Sequence, residues 1–195
     1  MPHAAIGLKT HIGRAFAVVL VESGGEVEVV AKGPIVMRDT FETGAVYHVS
    51  QERGLSPPQA RALIESTLQA SVTNAKAAIA SLAAGLPALH RAAVLAGSGK
   101  PLPPLEVILR SHPLIHAAEG EMYRDAVARA CEALSLRVLR IPAKEMEARA
   151  VEALGMNAAA VRGKLAGLGK AAGRPWRSEQ RECALAAWLA LMAGE

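Results

Sequence analysis

The sequence predicts an α/β protein built on a mixed five-stranded sheet with helices on both faces. Three short apolar stretches, the second and third rich in valine, fall within the first 37 residues and are joined by tight connections, which makes them an antiparallel meander. Two further short apolar runs, Ala92 to Ala96 and Leu136 to Ile141, are each preceded by a helical pattern, so they add to the sheet in parallel. With 51% apolar and 21% charged residues, the chain buries a core and is not disordered. Residues 1–195 are expected to form a single domain.

The elements follow in order. Ala4 to Thr10, Arg14 to Glu22 and Glu26 to Met37 read as strands one to three, with Ser23-Gly24-Gly25 as a turn and Gly33-Pro34 suggesting a break or bulge. Residues 38–55 are polar and read as turns. Ser56, with proline in the first turn and Gln59 three residues on, caps a helix that Gly85 closes. Ala92 to Ala96 is strand four, and Gly97 to Lys100 reads as the turn after it. One or two helical turns fall in residues 101–110. A helix begins at Ser111-His112-Pro113 and runs to about Leu134. Leu136 to Ile141 is strand five, stopped by Pro142. Lys144 to Leu154 is helical and capped by Gly155. The glycines and basic residues of 163–175 read as a mobile or phosphate-facing connection. Ser178 is expected to cap the last helix.

The net charge is +4, from 22 basic and 18 acidic residues, which permits a phosphate-bearing partner without requiring one. Cys131 and Cys183 lie in apolar helical patterns and read as small core residues. No secretory pattern opens the sequence, and the apolar run Cys183 to Ala193 is too short to span a bilayer. A cytoplasmic protein with no membrane partner is expected. Nucleic acid and a second copy of the chain are the partners considered.

The element order, together with AIGLKTHIGRAFAVVL, HAAEGEMYRDAVARACEAL and SEQRECALAAWLAL, resembles the ribonuclease-H-like fold and, within it, the RuvC-like Holliday-junction resolvases. GLKTHIGRAFAVVL, VYH and ILRSHPLIHAAEGEMYR are also similar to a bacterial family of comparable size to which no activity is attached. The nuclease resemblance implies two divalent ions, Mg²⁺ or Mn²⁺, held by carboxylates on strand one, near strand four and on the last helix. At the strand-one position this chain has Lys9, a cation where the shared carboxylate belongs. Glu119 stands for the middle carboxylate, and Glu179 and Glu182 for the pair on the last helix. Lys9, Glu119 and Glu182 are therefore expected to converge at the C-terminal edge of the parallel strands.

Other residues carry chemistry of their own. His112, His116, Glu119 and Tyr123 recur at helical spacing on one face, and two histidines four apart with a carboxylate can bind Zn²⁺ or another transition metal. Gly120 within that helix suggests close packing or ligand approach. His11 and His48, with Lys9, can form a cationic pocket. Arg162, Lys164, Lys170, Arg174, Arg177 and Arg181, with Trp176 among them, can contact a nucleic-acid backbone. Gly97-Ser98-Gly99-Lys100 is not a P-loop, because Pro101 occupies the Ser/Thr position. Two-domain actin-like kinases are excluded by length. The function expected is a RuvC-like module with a degenerate nuclease site that binds nucleic acid or a partner without catalysis. The alternatives are a divergent nuclease using Glu119, Glu179 and Glu182, and a small-molecule or phosphate-binding enzyme using Lys9, His48 and His116.

Overall fold

A computed structural model describes residues 3–97 and 99–193. The sheet has the order β3-β2-β1-β4-β5. Strands β1 (His3–His11), β2 (Arg14–Ser23) and β3 (Glu26–Val36) form the antiparallel meander. β4 (Leu89–Ala96) and β5 (Arg137–Pro142) add in parallel on the other side of β1. The mixed sheet is the one expected, and β4 starts three residues earlier than its apolar run. Gly33 and Pro34 do not break β3; they pair with Ala17 and Phe16. Proline is tolerated there because β3 is an edge strand. The irregularity lies instead at Val30, which is left over where Val19 pairs with Ala31 and Leu20 with Val29.

Strand alternation sends side chains to two cores. Ile6, Leu8, Ala17, Val19 and Val94 face one of them, covered by α3 (Pro57–Leu82) and α5 (His112–Glu132). Ala5, Val18, Leu20, Ala93 and Leu95 face the other, covered by α6 (Met146–Leu154), α7 (Ala158–Ala172) and α8 (Ser178–Met192). Helix α3 starts as its sequence dictates, with the Gln59 amide oxygen accepting from the Ser56 N–H at 3.0 Å. Gly155 ends α6 in the left-handed conformation, at φ 60°. Both cysteines are buried, and burial pushes each thiol up to about 12.

Three expectations are corrected. Residues 38–55 are not turns throughout: α1 (Phe41–Gly44) and α2 (Val46–Glu52) occupy most of them, and Val46, His48, Val49 and Ser50 are buried. Residues 163–175 are mainly helix. Asn157 caps α7 by accepting from the Ala160 N–H at 2.9 Å, and Val161, Leu165 and Gly169 are buried. Gly169 lies directly under the indole of Trp176, where a Cβ would meet the ring at 2.3 Å. The cap of α8 is Arg177, whose N–H donates to the Gln180 side chain at 2.8 Å; Ser178 is the first helical residue. Short α4 (Leu105–Ile108) holds the helical turns expected in residues 101–110. The turn read at Gly97 to Lys100 includes Ser98, which lies outside the described residues.

Gly7 decides how closely α8 approaches the sheet. A Cβ there would stand 1.9 Å from the Cys183 carbonyl oxygen and 2.7 Å from the Ala187 nitrogen. These are backbone atoms, so relief requires moving the helix. Gly7→Ala is expected to destabilise the fold by ~1–3 kcal/mol or more, the range of overpacked cores. A lowered urea midpoint with unchanged m-value checks it.

Candidate functional site

The direction of the strands brings the ends of β1, β3 and β4 to one edge of the sheet. Three groups of polar side chains lie at or near this edge, on different elements.

The first group surrounds Lys9. Ala5, Gly7 and Lys9 alternate onto the α8 face, and the close seating of α8 at Gly7 carries Glu182 over the end of β1. Lys9 Nζ lies 2.9 Å from Glu182 Oε2, with the two side chains about one-third exposed. Glu179 stands in the first turn of α8, where its own backbone N–H holds its carboxyl below the usual carboxylate range, with Lys9 and His11 acting the same way. His11 packs edge-on to Phe16, with ring centroids 5.8 Å apart. Partial burial, and then the Lys9 ammonium, lower its pKa. Cys183 donates its thiol proton to the Phe16 carbonyl at 3.2 Å.

The second group lies on the opposite face of the sheet. Helix α5 presents His112, His116 and Glu119, and α2 presents His48. Glu119 is fully buried. Its Oε2 receives a hydrogen bond from His48 Nδ1 at 2.7 Å, and its Oε1 accepts from the backbone N–H groups of Tyr47 at 3.0 Å and His48 at 3.2 Å. The carboxylate thus serves donors at the start of α2, which have no partner within that helix. The His48 ring lies 4.6 Å from that of His116 and 5.2 Å from that of His112, and the last two are 4.4 Å apart, all edge-on. Phe41 approaches His48 from α1, with centroids 5.8 Å apart. Tyr123, one turn after Glu119, does not join the histidines: its hydroxyl donates to the Gly44 carbonyl at 2.9 Å, and burial pushes its pKa up to about 12. Gly120 is explained by packing, since a Cβ there would meet the Arg124 guanidinium at 3.3 Å. Arg124 also covers Gly97 at the end of β4.

The third group is a groove of about 690 Å³ between α7 and α8. Arg162, Lys170, Arg174 and Arg181 rim it, Leu165, Trp176 and Leu185 contribute apolar surface, and Glu182 links it to the Lys9 pair. Lys164 turns to the other side of α7, 3.9 Å from Glu26, and Arg162 also pairs with Glu147. Arg177 caps α8 and does not line the groove.

Of the residues singled out from sequence, Lys9, His11, Glu179 and Glu182 come together. Glu119 does not join them, because α5 and α8 pack on opposite faces of the sheet. His48 leaves the expected pocket with Lys9 and His11 for the same reason. Phe41 and Arg124 were not singled out, and neither carries a sequence signal of its role. The donors at the end of β1 do not fit the two divalent ions that the fold family implies. Lys9 is a cation paired with Glu182, Glu119 is consumed on the other face, and β4 ends in Leu95-Ala96-Gly97 without an acid.

Two solved structures share this fold over nearly the whole chain. Thermus thermophilus RuvC superposes with a TM-score of 0.51 at 10% identity, over 97% of this chain and 93% of that one. T. thermophilus RuvC in complex with a Holliday junction substrate gives 0.50 at 10% identity, with the same coverage. No protein-family model matches the sequence, and no curated protein does. The architecture is therefore ribonuclease-H-like. Its particular form, three antiparallel strands followed by two parallel additions, is that of RuvC. No described helix is long and apolar enough to cross a membrane.

The Glu119 and Lys9 contacts differ in what they do for stability. Glu119→Ala strips a partner from His48 and two backbone N–H groups, all near a fully buried position, and is expected to cost ~3–5 kcal/mol. Lys9→Ala breaks a partly solvated pair and is expected to cost less than ~1 kcal/mol. Urea denaturation of the two variants at neutral pH separates them.

Proposed function

We propose that this chain is a RuvC-like module that binds nucleic acid through the α7–α8 groove and does not cleave it. The observation that carries the reading is the Lys9–Glu182 pair at 2.9 Å, which fills the end of β1 with a neutralised ion pair. An ammonium ~4 Å from a divalent ion opposes it by ~8 kcal/mol at an effective dielectric of ~20, before any solvent screening. A second ion loses its shared ligand as well. In this reading the chain keeps the fold of a junction-binding protein without the metal ligands that the resemblance implies.

The groove supports the binding half of the proposal. Its four cations stand around an apolar wall that includes Trp176, and Lys32 lies 5.7 Å from the centre of that ring. Cations that track a phosphate backbone suit sequence-tolerant binding. The RuvC structure of the same fold holds a Holliday junction, which makes a four-way junction the first ligand to test.

A labelled junction is expected to bind in low salt and to weaken steeply as salt rises. Lys170→Ala and Arg174→Ala are each expected to reduce the log–log salt slope by ~0.9. Incubation with Mg²⁺ or Mn²⁺ is expected to leave the junction and an RNA–DNA hybrid intact. Turnover abolished by Glu182→Gln would overturn the non-catalytic reading. Binding indifferent to both groove substitutions would overturn the assignment of the groove. Sedimentation of the same complex reports whether one or two copies of the chain engage the junction.

A further inference from the structure

The histidine group on the α5 face is separate from the groove and from Lys9, and nothing in the proposed nucleic-acid reading uses it. We infer that His48, His112 and His116 bind one divalent transition-metal ion, Zn²⁺ foremost, with Glu119 orienting His48 and one coordination position left open.

The donor set points to this chemistry. Each of the three residues offers a ring nitrogen, and these nitrogens lie within 4.8 Å of one another, the one such convergence of three or more His, Cys, Asp or Glu among the described residues. Three imidazoles suit Zn²⁺ and its late first-row neighbours, and not Mg²⁺ or Ca²⁺, which take oxygen ligands. A shared Zn²⁺ would take each nitrogen at ~2.0–2.1 Å.

Glu119 supplies the second observation. Its hydrogen bond with His48 Nδ1 leaves Nε2 as the free nitrogen of that ring, aimed away from the carboxylate. A histidine held at one nitrogen by a buried carboxylate and free at the other is the arrangement that fixes tautomer and direction at metal sites. The two N–H groups of α2 hold the carboxylate itself in place. The Glu119 hydrogen bonds and the packing of Val46 and Tyr47 account for the docking of α2 on α5. They do not account for His112 and His116, which are solvent-exposed and yet stand edge-on to His48 and to each other. Their four-residue spacing on α5 places both rings over the same spot.

The exposure of His112 and His116 leaves one side of the site open to solvent. Three protein nitrogens and an open position describe a zinc centre able to hold a water or an anionic oxygen, in contrast to a closed four-ligand structural site. Phe41, 53% exposed and beside His48, gives the opening an apolar flank.

Titration of the chelator-treated protein with Co²⁺, followed by visible absorption, and then Zn²⁺ competition against a chromophoric chelator, test the inference. One Co²⁺ per chain is expected, with the intense bands of four-coordination. His112→Ala and His116→Ala alter exposed residues, so the fold should persist, as thermal melts will verify. Each is expected to weaken binding by more than the ~10–100-fold that losing an outer-sphere partner costs, and Glu119→Gln to weaken it within that range. His90→Ala, an exposed histidine on β4, is expected to leave affinity unchanged. Uptake that is equally sensitive to His90→Ala, or unaffected by His112→Ala and His116→Ala in folded protein, would overturn the site. Junction binding is read separately, so failure of one inference leaves the other standing.

Discussion

A buried carboxylate organises one whole end of this molecule. Glu119 has no contact with water and is surrounded by three donors: the His48 ring and two N–H groups that open α2. A charge in that position is tolerable only because it is fully paired. Helix α2 has seven residues, too few to persist alone in water. Its formation therefore depends on a side chain more than seventy positions away, and Tyr123 repeats the device one turn further on by holding Gly44. The segment between β3 and α3 combines a local start, the Thr40–Thr43 capping box of α1, with contacts from α5 that hold both short helices in place.

That dependence explains what the sequence revealed and what it concealed. The strands were legible as short apolar runs bounded by turn residues, and α3 because Ser56, Pro57 and Gln59 carry a start signal in local chemistry. Residues 38–55 concealed two helices: α1 opens on a Thr40–Thr43 capping box but runs for only four residues, and α2 depends on partners from α5. The glycines of α7 concealed a helix for a different reason: Gly169 makes room for Trp176, and the apolar positions around it supply the burial that glycine cannot. The meeting of Lys9 with Glu182 was expected from the family resemblance, and strand parity agrees, since it sets Lys9 on the face that α8 covers. Glu119 was misplaced because a family resemblance gives position along the chain, whereas the face of the sheet on which α5 packs is a property of the crossover. His48 was visible only as an isolated residue, since nothing local connects it to α5.

The sheet thus carries two unlike polar sites at one edge, one on each face. On the α8 side an ion pair closes the end of β1 and adjoins a basic groove. On the α5 side a buried carboxylate and three imidazoles gather. Gly7 is central to the first site, because the near contact it permits is what lets Glu182 reach Lys9. The two sites share the central strand β1 and little else, so each can be altered while the other is measured.

The outer strand β3 has a consequence for association. Pro34 withdraws one donor from the free edge, the extra residue at Val30 disturbs the even pleat, and Glu26, Glu28 and Lys32 distribute charge along it. Lys32 is moreover engaged with the carbonyl of Pro175 at 3.0 Å, which tethers the strand to the loop before α8. An edge treated in this way is a poor template for strand addition. Strand addition at this edge is therefore disfavoured, and the meander side of the sheet is guarded against runaway extension even though its valine content would otherwise favour it.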